Sequence, residues 1–246
     1  SPYYENITIN KSINLIGEDK NTTVIDGSKS EVIVYISADD VKISEFTIYN
    51  GRPGGMLIDF YGILFYECSN YEVSDNKFFR TDTGIGSYLG ENGRIINNYF
   101  DGKIYSDSKG IKVCTSDTII YNNYFTENSG EGIRVTSNPK SAENISIIKN
   151  VFTNNFYGIW GGAKNSLIQS NYLYNNQAGI GWLGVYTKII NNTVINTKFI
   201  ITHPMYLEIF HGIDLCNDYN NISRNYVYNY LEGISLNSAE YNIISN

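Results

Sequence analysis

Cysteine, proline and histidine are scarce in this chain of 246 residues, which has three, four and two of them respectively. Because the cysteine count is odd and no Cys-x-x-Cys spacing occurs, Cys68, Cys114 and Cys216 indicate neither a disulfide framework nor a zinc site. We expect them to be buried apolar residues. No apolar run approaches the roughly 20 residues that span a membrane, and no metal site is predicted.

Basic residues are also in the minority, since 18 Lys and Arg stand against 25 Asp and Glu, for a net charge of −7. Binding to phosphate backbones needs a basic surface, so this balance disfavours nucleic acid as a partner. What the chain does have is 42% hydrophobic residues and 22 tyrosines. With few prolines, this composition favours strands and tight turns over helices.

A repeat of 21 to 33 residues runs along the chain, and its first anchor is the pair Gly-Ile. The pair occurs with its glycine at positions 62, 84, 110, 132, 158, 179, 212 and 233. The second anchor is an Asn at 76, 98, 123, 150, 171, 192, 225 and 246, with an apolar residue three positions before it. An apolar residue also follows two positions after each of these Asn except the last, where the sequence stops.

This short repeat with β-type segments predicts an all-β fold, a right-handed single-stranded parallel β-helix of about nine coils. The isoleucines are expected to stack inward at the strand spacing of roughly 4.8 Å, and the Asn to form an inward ladder of amides. Phe46 takes the ladder position in the first complete coil, after a partial opening coil over residues 7–27. Neither end carries an obvious cap, so we expect residues 1–246 to form one domain of a longer surface protein.

The opening segment, with Tyr4-Glu5-Asn6-Ile7, Ile13-Asn14-Leu15-Ile16-Gly17-Glu18 and Val24-Ile25-Asp26-Gly27, precedes repeated Gly-Ile and Asn-Asn-Tyr-Phe units. Over essentially its whole length the chain resembles the NosD-like parallel β-helix family. The resemblance implies a carbohydrate-binding protein or sugar hydrolase, and many members are archaeal surface (S-layer type) proteins. Copper, which the family name suggests, is disfavoured because two His and two Met do not cluster at ligand spacing.

Three long insertions precede Gly-Ile strands, at 51–61, 101–109 and 195–210, with a shorter one at 136–144 on another corner. Insertions on one edge of a solenoid are typical of a binding face, and we expect the three to line a groove, although solenoids also tolerate loops by drift. On the Gly-Ile strand, β alternation predicts that Gly and the residue after Ile face outward. This places Lys112, Arg134 and Trp160 on three successive coils, where a sugar ring could stack on the indole and the cations hold its acidic groups. Ordinary solvated charges and a lone aromatic are the alternative interpretation.

Candidate catalytic groups are His211, Asp214 and Glu232, with Glu131 beside the binding column and His203 in the longest insertion. Glycoside hydrolysis needs two carboxyl groups about 5 to 10 Å apart, which Asp214 and Glu232 on adjacent coils could supply. A lyase would need a base and a cation, either Lys or Arg or a bound Ca²⁺, at the uronate carboxylate. The sequence shows neither clustered Asp pairs nor an acidic calcium cluster, and this absence weakens the case for an enzyme.

Two functions therefore stay open: an extracellular or cell-surface domain that binds acidic polysaccharide on the Gly-Ile face, and a polysaccharide lyase or glycoside hydrolase with its site in the same groove. Whether the protein is an enzyme stays uncertain at this level. No cofactor is expected, apart from Ca²⁺ in the lyase case. Six Asn-x-Ser/Thr sequons, at Asn6, Asn10, Asn21, Asn144, Asn191 and Asn221, add weak support for export.

Overall fold

Short parallel strands make up most of the described chain. The computed structural model describes residues 2–52, 59–103, 107–137, 142–197 and 210–245, and within them thirty strands form three sheets of ten strands each. Neighbouring strands in every sheet come from successive coils and pair in parallel, as Ile111 does with Ile133 and Ile133 with Ile159. The predicted parallel β-helix is confirmed.

The three sheets run the length of the solenoid. The Gly-Ile sheet consists of Ile7–Ile9, Val32–Ile36, Tyr61–Tyr66, Thr83–Glu91, Lys109–Ser116, Glu131–Val135, Tyr157–Gly161, Ala178–Trp182, His211–Leu215 and Glu232–Leu236. The second sheet consists of Asn14–Ile16, Lys42–Ser44, Glu72–Ser74, Arg94–Ile96, Ile119–Tyr121, Ser146–Ile148, Leu167–Gln169, Lys188–Ile190, Asn221–Ser223 and Ile243–Ser245. The third consists of Tyr3–Tyr4, Val24–Asp26, Thr47–Tyr49, Lys77–Phe79, Tyr99–Asp101, Tyr124–Thr126, Val151–Thr153, Tyr172–Tyr174, Thr193–Ile195 and Tyr226–Tyr228.

The core is the space enclosed by the three sheets. The Gly-Ile isoleucines from Ile63 to Ile213 are buried, as is the central residue of each strand of the second sheet from Ile43 to Ile222. From the third sheet, Phe78, Phe100, Phe125 and Phe152 stack at 4.7 to 4.8 Å between ring centroids. One member of the predicted repeat is displaced: Ile222 pairs with Ile244 rather than with Ile243.

The Asn ladder turns the chain between the second and third sheets. Each buried amide from Asn76 to Asn192 accepts at Oδ1 from the backbone N–H one coil earlier, with distances of 2.8 to 3.0 Å, and Phe46 donates to Asn76 as the first rung. The ladder is therefore as predicted, although Asn246 lies outside the described residues. A second buried ladder, formed by Asn128, Asn155 and Asn176, stands at the next corner and was not predicted.

The glycines of the Gly-Ile pairs correct the predicted register. We expected them to face outward, but a Cβ on Gly110 would lie 2.4 Å from Cδ1 of Phe125, and one on Gly132 would lie 2.6 Å from Cδ1 of Phe152. Rings of the third sheet thus fill the space beside these glycines in the core. Because strict alternation is broken at the glycine, the residue before Gly and the residue after Ile meet on the outer surface.

Candidate functional site

One column of side chains runs along the outside of the Gly-Ile sheet. Strand pairing sets Lys112 beside Arg134, Arg134 beside Trp160, Trp160 beside Gly181 and Gly181 beside Asp214. Since parallel strands are about 4.8 Å apart, these five positions extend over roughly 20 Å. The predicted outward column is present, and we call this surface the Gly-Ile face.

A second column, formed by the residues that precede Gly, adds partners to the first. Across three positions of the strand, Glu131 contacts Arg134, Tyr157 contacts Trp160, and His211 contacts Asp214. Regular β alternation would place residues three apart on opposite sides of the sheet. The face is therefore about twice as rich in functional groups as a single outward column.

The charged pocket lies at one end of the face, with a volume of about 470 Å³. Its lining residues are Asp59, Tyr88, Asp107, Lys109, Lys112, Arg134 and Thr136. The carboxylate of Asp59 is shared by two ammonium groups, since it accepts from Lys112 and lies 3.1 Å from Lys109 Nζ. Lys109 also lies 3.0 Å from Asp107 Oδ2, and its side chain is only 7% exposed.

The ion pairs of the charged pocket hold their groups in the ionised state. Burial by itself raises the pKa of Asp59, but the hydrogen bonds and charges of Lys112 and Lys109 bring the pKa below its usual value. Burial lowers the pKa of both lysines, and this is outweighed by Asp59, together with Asp107 at Lys109 and Tyr88 at Lys112, so both pKa values lie above the usual value. All three groups are charged at neutral pH.

Arg134 connects the charged pocket to the rest of the face. Its guanidinium donates from Nη1 to Oε1 of Glu131, whose side chain is 6% exposed and whose Oε2 is buried with no hydrogen-bond partner among the described residues. The Arg134 side chain itself is 37% exposed and borders the pocket. A guanidinium has five N–H donors, so Arg134 can bind an external anion while it stays paired with Glu131.

The aromatic pocket follows on the next coils, with a volume of about 200 Å³. Its lining residues are Tyr157, Trp160, Ala178, Ile180, Gly181, His211 and Asp214. The rings of Tyr157 and Trp160 are 4.7 Å apart and tilted by 45°. Trp160 is partly exposed, whereas the other tryptophan, Trp182, is fully buried and donates to Thr187.

The predicted catalytic residues come together at the far end of this pocket. His211 lies between two carboxylates, with Nδ1 3.6 Å from Asp214 Oδ1 and Nε2 3.3 Å from Glu232 Oε2. Asp214 also accepts a hydrogen bond of 2.7 Å from Asn237. The imidazole therefore separates the two carboxylates that the sequence pairs, and His203 lies outside the described residues.

The insertions contribute charged residues that the sequence analysis did not identify as part of the site. Asp59, Asp107 and Lys109 belong to the ends of the first two insertions and lie in the charged pocket. Most of the third insertion, residues 198–209, lies outside the described residues, as do 53–58, 104–106 and 138–141. The only sequence signal for Asp59 and Asp107 was their place in insertions on one corner of the solenoid.

Solved structures of other proteins share this fold, among them a tailspike, an epimerase module and a lyase. The Dettilon tailspike protein matches with a TM-score of 0.60 at 14% identity, over 96% of this chain and 60% of its own. The A-module of the Azotobacter vinelandii mannuronan C-5 epimerase AlgE6 matches at 0.59 and 12% identity, over 97% and 85%. A mannuronic acid specific polysaccharide family 6 lyase from human gut microbiota matches at 0.54 and 13%, over 99% and 75%. At these identities the likeness establishes the fold alone, and this chain spans 60% of the length of the tailspike.

A family model described as periplasmic copper-binding protein (NosD) matches residues 3–181. The chain belongs to the NosD family. No curated protein sequence matches it significantly. Among the described residues of this NosD family member, no three His, Cys, Asp or Glu side chains converge on a metal site, and both nitrogens of His211 face carboxylates. The described donors therefore do not fit copper, which prefers clustered imidazole, thiolate or thioether ligands. Within the described ranges no helix is long and apolar enough to cross a membrane.

Proposed function

We propose that this NosD family member binds an acidic polysaccharide on its Gly-Ile face and acts at the cell surface or outside the cell. The observation that carries the proposal is the pairing of Arg134 with Trp160 on adjacent strands, which sets a partly exposed guanidinium beside a partly exposed indole. An aromatic ring offers an apolar surface to a sugar ring, and a guanidinium binds a carboxylate through two parallel hydrogen bonds.

The charged pocket supports an anionic ligand with one restriction. Its three cations, Lys109, Lys112 and Arg134, remain charged, but Asp59, Asp107 and Glu131 balance them one for one. The charged pocket therefore has no net positive charge, although Lys112 and Arg134 by themselves would predict one. Recognition then depends on the directed donors of Arg134 more than on general attraction to a polyanion.

The names of the structural neighbours agree with a saccharide ligand. Two of them, the epimerase and the lyase, are named for mannuronan or mannuronic acid. A location outside the cytoplasm is supported by the periplasmic description of the family.

Calorimetric titration of the purified protein with an oligomannuronate and with a neutral oligomannoside tests the proposal. We expect the charged ligand to bind more tightly, and Arg134→Ala or Trp160→Ala to weaken its binding at least about tenfold, as for an interface hot spot. Arg94→Ala is the matched control, because Arg94 is an exposed arginine of the second sheet that pairs with Glu72. Since Arg134→Ala leaves Glu131 unpaired, folding is checked by circular dichroism and Arg134→Gln is measured in parallel. Unchanged binding in both site variants would refute the proposal.

A second function, cleavage of the bound glycan, is favoured by His211 between Asp214 and Glu232. A histidine oriented by a carboxylate can transfer protons, and a carboxyl pair serves glycoside hydrolysis. The mixtures of protein and oligomannuronate from the calorimetric titration can be analysed for cleavage products to test this function. Enzyme activity requires reducing ends or unsaturated uronate products that appear with the wild type and are lost in Asp214→Asn.

A further inference from the structure

Gly181 lies against the six-membered ring of the Trp160 indole. A Cβ at position 181 would be 2.3 Å from Cε3 and 2.5 Å from Cζ3 of Trp160, closer than real contacts allow. The Cε3–Cζ3 edge of the six-membered ring therefore occupies the space that a side chain at position 181 would take. Only a residue without a side chain permits this placement, because any Cβ would push the ring away.

The same arrangement occurs once more on the face, with a different outcome. A Cβ on Gly86 would be 2.5 Å from Cδ1 and Cε1 of Tyr61, so this ring also lies against a glycine of the next coil. The hydroxyl of Tyr61, however, is 2.6 Å from that of Tyr88, which ties the ring to its neighbour. The indole nitrogen of Trp160 has no hydrogen-bond partner in the described part of the chain, and its recorded ring contact is with Tyr157.

Along the solenoid axis, a cationic side chain lies on one side of Trp160, and a carboxylate and a histidine lie on the other. Arg134 lies one coil before Trp160, and Asp214 pairs with Gly181 on the other side, with His211 against it. Each is about one or two strand spacings from the indole. The pocket of about 200 Å³ is smaller than the roughly 300 to 1,000 Å³ of drug-sized sites, which suits a single sugar ring.

We propose that Gly181 is a positioning residue that leaves room for the indole of Trp160 against the next coil, and that it thereby creates a subsite for one uronate ring whose carboxylate faces Arg134 and whose hydroxyls face Asp214 and His211. This inference rests on the proposed function and adds the identity of the recognised unit. The carboxylate and the secondary hydroxyls of a uronate lie on opposite edges of its ring, in keeping with the order of the protein groups. The indole supplies the surface between them.

Tryptophan fluorescence with oligomannuronate and its methyl ester tests the subsite. The only other tryptophan, Trp182, is fully buried, so quenching by added acrylamide reports on Trp160. We expect Gly181→Ala to raise the quenching of Trp160 and to lower affinity for oligomannuronate at least about tenfold, like loss of a central contact. The methyl ester, which has no carboxylate charge, should bind the wild type several-fold more weakly.

Two glycine variants serve as controls. Gly233→Ala is the matched substitution in the same sheet, because its Cβ would meet only Val227, at 4.0 Å, and it should leave quenching and affinity unchanged. Gly86→Ala displaces Tyr61 instead and should not change the quenching of Trp160. If Gly181→Ala does not fold, Trp160→Phe and Trp160→Leu test the role of the ring instead. Phenylalanine still places a planar ring against Gly181, so Trp160→Phe should keep most of the affinity for oligomannuronate and Trp160→Leu should lose it.

The outcomes separate this inference from the proposed function. If Gly181→Ala keeps the affinity and the quenching of the wild type while Arg134→Ala still loses affinity, the role of Gly181 is overturned and the proposed function stands. Equal affinity for the acid and its methyl ester would overturn the uronate assignment. A wild type that binds no polysaccharide would refute the proposed function itself.

Discussion

The two halves of the Gly-Ile face use the same two columns of positions for different chemistry. In the charged half, Lys109, Lys112 and Arg134 occupy the positions around Gly-Ile and are all paired with carboxylates. In the aromatic half, Tyr157 and Trp160 occupy them and contact each other through their rings. The strands share their pairing geometry, so the difference comes from the side chains that they carry and from the insertions that supply Asp59 and Asp107 to the charged half.

The comparison shows that a buried charge network and an open contact surface impose different demands. The charged half needs every member of its network, because a buried ion without its partner is costly. The aromatic half buries few charges and depends on shape at Gly181. Substitutions in the network of Asp59, Lys109 and Lys112 should therefore act on stability and those in the second half on binding, while Arg134, where the halves meet, contributes to both.

The largest expected effect comes from removal of Asp59. Asp59→Ala leaves Lys112 without its carboxylate and Lys109 with Asp107 alone, and we expect the free energy of unfolding to fall by about 3 kcal/mol. Chemical denaturation followed by circular dichroism measures this. Glu31→Ala is the control, since it breaks an exposed pair with Arg52 and should cost no more than about 1 kcal/mol. Equal losses in the two variants would contradict the network.

The pH dependence of stability should distinguish the halves next. The pKa of Asp59 is lowered on folding, so its contribution is present above its ordinary pKa of about 3.9 and is lost as the pH falls through the still lower folded value. The pKa values of Lys109 and Lys112 are raised, so their contribution is present below about pH 10.4 and is lost as the pH rises through the folded values. The stability difference between wild type and Asp59→Asn should be constant from about pH 5 to 9 and shrink at both extremes. A difference that is flat over the whole pH range would argue against these ion pairs, and Trp160→Phe should show no such windows.

The smallest effect is expected where the halves meet. Arg134→Lys keeps the positive charge but loses the planar fork that reaches Glu131 and an external carboxylate together. Affinity for oligomannuronate should fall by a factor of about three to ten, less than in Arg134→Ala. Titration calorimetry measures both variants. If lysine is as poor as alanine, charge contributes nothing at this position, and if it equals arginine, the geometry of the fork is irrelevant.

Much of the architecture was predictable because it repeats. The stacked isoleucines, the Asn ladder and the outward order from Lys112 to Asp214 all follow from fixed offsets in the chain. The second ladder was equally visible, since Asn128, Asn155 and Asn176 each stand five residues after a ladder Asn. The inward position of the Gly-Ile glycines was not predictable in this way, because the prediction assumed regular alternation through a strand that is irregular at the glycine.

The sequence by itself determined the solenoid, the contents of its core and the order of side chains along the Gly-Ile face, because each depends on a periodic pattern of apolar and turn residues. Only the tertiary structure decided which groups meet there. Lys112 and Asp59 are 53 residues apart in the chain and lie two coils apart in the solenoid, with Asp59 in an insertion, and the position of Trp160 depends on Gly181 of the next coil. Such contacts join residues with no fixed offset in sequence, and they turn a column of solvent-facing positions into two distinct pockets.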